Sequence, residues 1–310
     1  MIRYFDLKEG KASASAAPFI AALGDFDGVH LGHRRVILET VSAAQKKSLS
    51  SAVWFFADSP KSCGEKLTSQ DEKEKIFAVL GADYSITENF DDVKDLSPEE
   101  FVGGYLAEKG CRGVVCGFNF RFGKGASGDV DTLRELCRKA GLSFVSVPPV
   151  ELGGNIVSST KIRELIANGD VIRAAEMLGR RYSVRAEVEH GRTLGAKIGF
   201  PTINQRFRSG KATPRRGVYF TYTSIDGALF PSISDVGSRP TVGGHAYRLE
   251  THILDCAADL YGKCVEVFFV KFRRPEMTFE NEEALAEAIG EDVRAAREFF
   301  GAKGDGENEK

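Results

Sequence analysis

The sequence has no CxxC cysteine pair, no hydrophobic run long enough to span a membrane and little net charge. Its 42 Lys and Arg residues nearly balance its 44 Asp and Glu residues, which argues against a protein that binds polyanions. The six cysteines lie mostly in apolar runs and are predicted to be reduced core residues rather than disulfides or metal ligands. The first residues, MIRYFDLKEG, contain no signal-peptide core, so a cytoplasmic location is expected.

The length of 310 residues predicts two domains, because single cores stop growing at roughly 250–300 residues. In the first half, strand and helix patterns alternate, which favours an α/β domain with a Rossmann-like parallel sheet. From Tyr182 onward, strand patterns separated by Gly and Pro favour a small antiparallel β-barrel that ends in a helix over Asn281–Phe300. The predicted domains are therefore 1–180 and 181–300, followed by a disordered polar tail at 301–310.

One stretch, GDFDGVHLGH at 24–33, leads from an apolar strand through glycines into a helix. Such a turn offers free backbone N–H groups at the positive end of a helix dipole and is typical of anion sites. His30 and His33 are three residues apart, which places both rings on one side of an early helical turn. The pattern predicts a nucleotide-phosphate site in which the histidines face the phosphorus. Purely structural histidines, and less plausibly zinc ligands, are the alternatives.

Two further stretches of the first half carry glycine or hydroxyl groups, GFNFRFGKGASGD at 117–129 and SSTKIR at 158–163. Each also fits an ordinary structural role. Glycines mark common turns, Ser-Ser-Thr before a helix is a normal N-cap, and alternating phenylalanines at 118, 120 and 122 are typical of a strand face in a core. Because ligands of open parallel sheets bind beyond the carboxyl ends of strands, residues 24–33 and 117–128 are expected at one sheet edge.

In this order, the three stretches resemble the adenylyltransferase half of bacterial bifunctional riboflavin kinase/FAD synthetases. The second half resembles the riboflavin kinase half of the same family through GFPTIN at 199–204, GVYF at 217–220, DVGSRPT at 235–241 and LETH at 249–252. The resemblance spans about residues 18–300. It implies phosphorylation of riboflavin to FMN in the C-terminal domain and adenylylation of FMN to FAD, with release of pyrophosphate, in the N-terminal domain.

The resemblance also implies site residues. Glu250 is the implied kinase base, although an alternating strand would also place a polar residue there. Thr202 and Asn204 are implied ligands of Mg²⁺ or another divalent cation, and His30 and His33 the groups at the α-phosphate. The other implied ATP- or phosphate-binding residues are Gly24, Phe26, Asp27, Gly28, Ser158, Ser159, Thr160, Arg163, Gly199 and Pro201. The implied flavin-binding residues are Asn119, Phe120, Arg121, Phe122 and Arg239. His190 and His252 are expected to be structural.

The implied partners are riboflavin, FMN and ATP, with no nucleic acid and no membrane; any self-association is expected to be weak.

Several positions depart from the family. Asp25 replaces a usual Asn, and a carboxylate beside a triphosphate is unfavourable unless it binds Mg²⁺. Residues 56–60 lack the Pro and His of an F-x-P-H-P segment, while Ala186, Ala196 and Asp235 replace Gly, Arg and Asn. An enzyme with only one active half, and a non-catalytic flavin- or nucleotide-binding regulator, are therefore the alternatives; the intact catalytic positions argue against the regulator.

Overall fold

A computed structural model describes the following residues: 3–57, 65–191, 194–241, 244–256 and 258–301. The chain forms two compact units that divide between Ser159 and Thr160. No helix within the described ranges is long and apolar enough to cross a membrane.

The first unit is built on a seven-stranded sheet. Its strands are β1 (Arg3–Asp6), β2 (Lys11–Ser13), β3 (Phe19–Leu23), β4 (Ser50–Phe56), β5 (Tyr84–Glu88), β6 (Cys111–Gly117) and β7 (Ser143–Val147), in the order β2-β1-β5-β4-β3-β6-β7. Strands β3 to β7 pair in parallel, which confirms the predicted sheet. The antiparallel strands β1 and β2 were not predicted, because they are short and contain no apolar run.

Helices cover both faces of this sheet. They include α1 (Leu31–Lys46), α2 (Gln70–Val79), a π-helical segment (Glu100–Leu106) and α3 (Val130–Lys139). Side chains of the fully buried strand β3 alternate between two apolar clusters, with Phe19 in one and Ile20 in the other, as a two-sided core requires. A short hairpin follows, made of β8 (Glu151–Leu152) and β9 (Asn155–Ile156).

The alternating phenylalanines do not form a strand, so that interpretation is wrong. Residues 118 and 119 form a turn, residues 120 and 121 are irregular, and Phe122 makes only an isolated bridge to Gly128. Phe122 is buried against Phe101, with ring centroids 5.7 Å apart, whereas Phe118 is 42% exposed. The alternation arises because the turn sends one aromatic ring into the core and leaves another outside.

The second unit begins with helices α4 (Ser159–Ala167) and α5 (Val171–Leu178). Its strands are β10 (Ser183–Glu187), β11 (Ile203–Arg206), β12 (Gly217–Ile225), β13 (Ala228–Thr241), β14 (Gly244–Ile253) and β15 (Cys264–Arg274), in the antiparallel order β10-β15-β12-β13-β14-β11. Gln205 of β11 donates hydrogen bonds to the carbonyls of Ala186 in β10 and Val265 in β15, which nearly closes the sheet. The predicted barrel is confirmed.

The barrel is completed by a one-turn helix, α6 (Leu194–Lys197), and by the terminal helix α7 (Glu282–Gly301), which matches the predicted helix within one residue. Helices α4 and α5 group with the barrel; the amide of Arg215 donates to the carbonyl of Ile166 at 3.2 Å. The division at 180/181 therefore remains a prediction drawn from the change in sequence pattern. Of the predicted tail, Gly301 ends α7, and 302–310 lie outside the described residues.

A buried ion pair joins α7 to β15. Asp292 is 3% exposed, and its Oδ2 accepts hydrogen bonds from Arg274 Nη2 at 2.7 Å and Nε at 3.0 Å. Substitution Asp292→Ala is expected to lower the free energy of unfolding by about 3–5 kcal/mol, because it leaves the half-buried guanidinium of Arg274 without this counter-charge. Urea unfolding followed by circular dichroism measures this loss.

The matched control is Asp255→Asn, because asparagine tolerates the positive φ of 54° at this position as aspartate does. Asp255 also forms a two-point ion pair, with Arg297 of α7, but its side chain is 72% exposed. Its removal is expected to cost less than about 1 kcal/mol, because water screens exposed pairs. Equal losses in the two variants would contradict the importance assigned to the buried pair.

Candidate active sites

The Gly24–His33 turn connects β3 to α1 and has an unusual backbone. Phe26, Gly28 and Val29 all have positive φ angles, of 52°, 82° and 40°. Phe26 and Val29 are fully buried, so packing holds two non-glycine residues in a conformation that costs free energy. The turn is thus fixed by its surroundings, as expected of a preorganised site.

A short segment, Leu67–Thr68, fixes this turn from outside. Asp27 Oδ1 accepts the amides of Leu67 at 2.9 Å and Thr68 at 3.2 Å, and the amide of Gly28 donates back to Thr68 Oγ1 at 2.9 Å. The Ser159 hydroxyl donates to the Asp27 carbonyl at 2.7 Å, which places Ser159 at the turn. Asp27 is 4% exposed, and its carboxylate oxygen binds the amides of Leu67 and Thr68, so its position points to anchoring.

The two histidines stack, as their spacing predicts. Their ring centroids are 3.6 Å apart, with an interplanar angle of 17°. His30 is the N-cap of α1, and its Nδ1 accepts the amide of His33 at 3.3 Å. Because Nδ1 is the acceptor, the proton of this imidazole lies on Nε2. His30 is therefore set to donate a hydrogen bond from Nε2.

The second ring, His33, is kept neutral. Burial, followed by the nearby His30 ring and the Lys73 ammonium, lowers the pKa of His33 well below its usual value of 6.5. Its Nδ1 is buried and has no hydrogen-bond partner in the described structure. Phe26 packs edge-on against this ring, with centroids 5.3 Å apart. A neutral, fixed imidazole can donate one hydrogen bond to a phosphate oxygen without adding charge.

The Gly117–Asp129 loop lies beside this turn. Strands β3 and β6 pair in parallel with Leu23 opposite Cys116, so both loops leave the same edge of the sheet. The loop closes on itself through two backbone hydrogen bonds between Phe122 and Gly128, at 2.9 and 3.1 Å.

Of the predicted flavin-binding residues, Asn119 and Arg121 are exposed and Phe120 is half-buried, stacked on Phe122 at 5.9 Å. Phe122 is 6% exposed and offers a ligand the least surface. Arg239 lies in β13, and its side chain is outside the described part of the structure.

Sequence reasoning missed one residue of this site, Lys73 of α2. Its side chain is buried, and Nζ donates to the carbonyl of Asp25 at 2.7 Å. Lys73 is in line with Phe77, one helical turn later, on the apolar face of α2. A lysine on such a face was the signal that could have identified it.

In the second unit, the GFPTIN segment is held at a turn. Gly199 has φ 90°, and the amide of Phe200 donates to the carbonyl of Gly195 at 2.7 Å. His252 Nδ1 lies 2.8 Å from the carbonyl oxygen of Pro201, and its ring packs edge-on against Phe200. The expected structural role of His252 is thus a specific one, since it fixes the backbone next to Thr202.

Three polar residues face one another across neighbouring strands of the barrel. Glu250 of β14 lies opposite Asn204 of β11 on one side and Asp235 of β13 on the other. Asn204 is 6% exposed, and its Oδ1 has no hydrogen-bond partner in the described structure. Gly191 is required there, because a Cβ on it would lie 2.3 Å from Asn204 Nδ2. The buried oxygen fits a hard divalent cation, which prefers neutral and anionic oxygen ligands.

Asp235 belongs to a group of carboxylates. A Cβ added to Gly237 would lie 3.4 Å from Asp235 Oδ2 and 3.7 Å from Glu276 Oε1, so the two side chains meet above this glycine. Burial, then the charges of Glu276 and Glu250, raise the pKa of Asp235 to about 7, against the opposing effect of Arg274. A cavity of about 450 Å³ adjoins this group, lined by Arg215, Arg216, Pro275, Glu276, Met277 and Thr278.

The raised pKa of Asp235 predicts a pH-dependent stability. An aspartate in the unfolded chain loses its proton near pH 4, whereas folded Asp235 keeps it to about pH 7. The folded state holds more protons between these values, so the free energy of unfolding falls as the pH rises through this range. Asp235→Asn removes this loss and is expected to stabilise the protein at pH 8 by about 1–3 kcal/mol, since a tenfold change in proton affinity corresponds to about 1.4 kcal/mol.

Urea unfolding of both proteins at pH 5 and pH 8 measures the effect as a difference. Glu187→Gln is the control, because Glu187 is an exposed acid of β10 in the same barrel. The stability gained by Asp235→Asn should be larger at pH 8 than at pH 5. A gain that is equal at the two pH values, or one that Glu187→Gln reproduces, would contradict the prediction.

Comparison with known proteins matches both units. The family model described as FAD synthetase matches residues 12–161, and the model described as riboflavin kinase matches residues 178–300. Bifunctional riboflavin kinase/FMN adenylyltransferases from Escherichia coli K12 and Pseudomonas fluorescens are 33% and 34% identical to this chain. They cover 91% and 90% of it, over 93% and 92% of their own lengths.

The relative of the same description from Bacillus subtilis is 30% identical and covers 92% of this chain and 93% of its own length. Among solved structures, one described as a macrolide-efflux protein from Streptococcus pneumoniae superimposes with a TM-score of 0.84 at 27% identity. That match covers 94% of this chain and 97% of the other. The similarity therefore extends over both units.

Proposed function

The chain belongs to the family of bifunctional riboflavin kinase/FMN adenylyltransferases, and from this premise we propose which of its residues carry each reaction. It phosphorylates riboflavin to FMN and adenylylates FMN to FAD, with ATP as co-substrate of both steps. The kinase reaction is assigned to the barrel at 181–300 and the adenylyl transfer to the parallel-sheet domain at 1–180.

In the kinase site, Glu250 is the proposed general base. It accepts the proton of the ribityl 5′-hydroxyl as that oxygen bonds to the γ-phosphorus of ATP and the bond to the bridging oxygen breaks, releasing ADP. The observation that carries this assignment is the alignment of Glu250 between Asn204 and Asp235 on adjacent strands. Phosphoryl transfer depends on such positioning more than on covalent chemistry.

Thr202 and Asn204 are the proposed ligands of a divalent cation. The buried oxygen of Asn204, which lacks a hydrogen-bond partner in the described structure, supports this choice, as does the fixed backbone before Thr202. When bound, Mg²⁺ would neutralise charge on the β- and γ-phosphates of ATP. Gly199 and Pro201 would let the backbone approach the phosphates, and Arg239 would contact the flavin.

In the adenylyl transfer site, an FMN phosphate oxygen attacks the α-phosphorus of ATP and pyrophosphate leaves. The nucleophile is already an anion, so the site needs hydrogen-bond donors for the developing charge rather than a strong base. His30 and His33 are the proposed donors, supported by the stacking of their rings and by the lowered pKa that keeps His33 neutral. The turn residues around them, with Ser158, Ser159, Thr160 and Arg163, would hold the phosphates.

One assay tests the whole proposal. Purified protein is incubated with riboflavin, ATP and MgCl₂, and FMN and FAD are separated by chromatography; a parallel sample contains EDTA. Both flavins should form in the first sample, and neither in the second. FMN without FAD would limit the chain to the kinase reaction, and activity that survives EDTA would overturn the cation assignment.

A further inference from the structure

The Gly24–His33 turn carries two carboxylates, at Asp25 and Asp27. These two acidic residues flank Phe26 in a turn assigned to bind a triphosphate. Like charges so placed would weaken the binding of an anion. The turn needs a compensating positive charge if it is to hold ATP.

Lys73 lies where such a charge is needed. Lys73 is 6% exposed, and its Nζ donates to the Asp25 carbonyl at 2.7 Å. The same ammonium group lies 4.8 Å from the centre of the Phe55 ring. Burial lowers the pKa of Lys73, and the Asp25 and Asp27 carboxylates oppose this shift. The attraction of these two acids therefore acts to keep the ammonium charged.

Lys73 also acts on the proposed donor His33, because its charge helps to keep that imidazole neutral. It has no share in the contacts between the turn and Leu67–Thr68, which are made by backbone amides and a threonine hydroxyl. Lys66, whose charge also lowers the pKa of Lys73, instead donates to the carbonyl of Ala57. The charge of Lys73 thus acts both on the acids of the turn and on His33.

We propose that Lys73 is a positioning residue for adenylyl transfer, which fixes the Asp25 carbonyl and supplies the counter-charge that makes Asp25 compatible with bound ATP. This inference rests on the proposed roles of the turn and its histidines. It assigns Lys73 no contact with the substrate. It predicts instead that the effects of Lys73 and Asp25 substitutions depend on each other, which a purely structural lysine would not require.

The test compares Lys73→Met, Asp25→Asn and the double variant, with Lys75→Met as control, since Lys75 is an exposed lysine of the same helix. Conversion of FMN and ATP to FAD is measured with kcat and KM for ATP. Circular dichroism and the fluorescence of Trp54, which is buried in β4, report whether the first unit is folded, and riboflavin phosphorylation is measured on the same samples. Lys73→Met should reduce kcat/KM for ATP in FAD formation on the order of 10²-fold. Kinase activity should stay within about twofold, and Lys75→Met should change neither activity.

The double variant decides between the two roles. If Lys73 compensates Asp25, the double variant should recover about tenfold of the kcat/KM lost in Lys73→Met. The ring protons of His33, followed by NMR, should then titrate at higher pH in Lys73→Met than in the parent protein. Independent effects of the two substitutions, with an unchanged His33 titration, would overturn the proposal.

If the first unit of Lys73→Met does not fold, circular dichroism and Trp54 fluorescence show it, and Lys73→Gln replaces this variant, because its side-chain amide keeps a hydrogen-bond donor but carries no charge. The same loss of FAD formation and the same recovery with Asp25→Asn are expected; their absence would overturn the proposal. A parent protein that forms no FAD would instead contradict the proposed function itself, so the two failures are distinguishable.

Discussion

Substitution Glu250→Gln is expected to abolish FMN formation while leaving the conversion of added FMN to FAD unchanged. Glutamine has nearly the same shape and can keep the strand register with Asn204 and Asp235, but it cannot take the proton of the attacking hydroxyl. Loss of a general base alone costs about 10²–10⁴-fold, so the kinase rate should fall by about 10³-fold or more. Chromatography of flavins, with riboflavin or FMN as the starting substrate, measures the two steps separately.

Glu187→Gln is the matched control, because it removes an exposed carboxylate from β10 of the same barrel and should leave both steps intact. A variant with kinase activity close to that of the parent would show that another group takes the proton. Asp235 would be the first to examine, since it lies opposite Glu250 and its pKa is raised to about 7. Loss of both activities in a folded Glu250→Gln protein would contradict the assignment of two separate sites.

The sequence predicted those parts of the fold that depend on long regular patterns. The apolar run before Gly24 became the central parallel strand Phe19–Leu23, and the helix predicted over Asn281–Phe300 formed as α7. The β1–β2 hairpin was missed, because it is held by pairing to β5 rather than by a pattern of its own. Strand β11 was missed for a related reason: it has four residues and gains stability from its pairing with β14.

Site features that depend on short sequence motifs could be predicted, whereas contacts that depend on tertiary packing could not. The spacing of His30 and His33 predicted that their rings share one side, and they stack. No local pattern showed that Asp27 uses a carboxylate oxygen for two amides forty residues away, or that His252 faces the carbonyl of Pro201. Lys73 was equally hidden, since its partner is a backbone carbonyl on another element. Such contacts depend on tertiary structure, which residue spacing does not encode.

The second large effect is expected from His33→Ala, which should reduce the conversion of FMN to FAD by about 10²–10³-fold and spare riboflavin phosphorylation. The His33 ring stacks on His30 and is held edge-on by Phe26, so its removal takes away a fixed neutral donor. The amide of residue 33 remains, and with it the N-cap bond to His30 Nδ1. The helix start should therefore survive, which separates a loss of catalysis from a loss of structure.

Arg35→Ala is the control on the same helix, because Arg35 is exposed two residues later and should affect neither reaction. The pH profile adds an independent criterion. Since the pKa of His33 lies well below 6.5, this imidazole is already neutral at pH 7, and kcat for FAD formation should not fall by its protonation between about pH 6.5 and 8. A strong decrease in kcat toward pH 6.5 that disappears in His33→Ala would mean that the His33 ring titrates in that range. Such a result would contradict the assignment of His33 as a donor kept neutral by burial, His30 and Lys73.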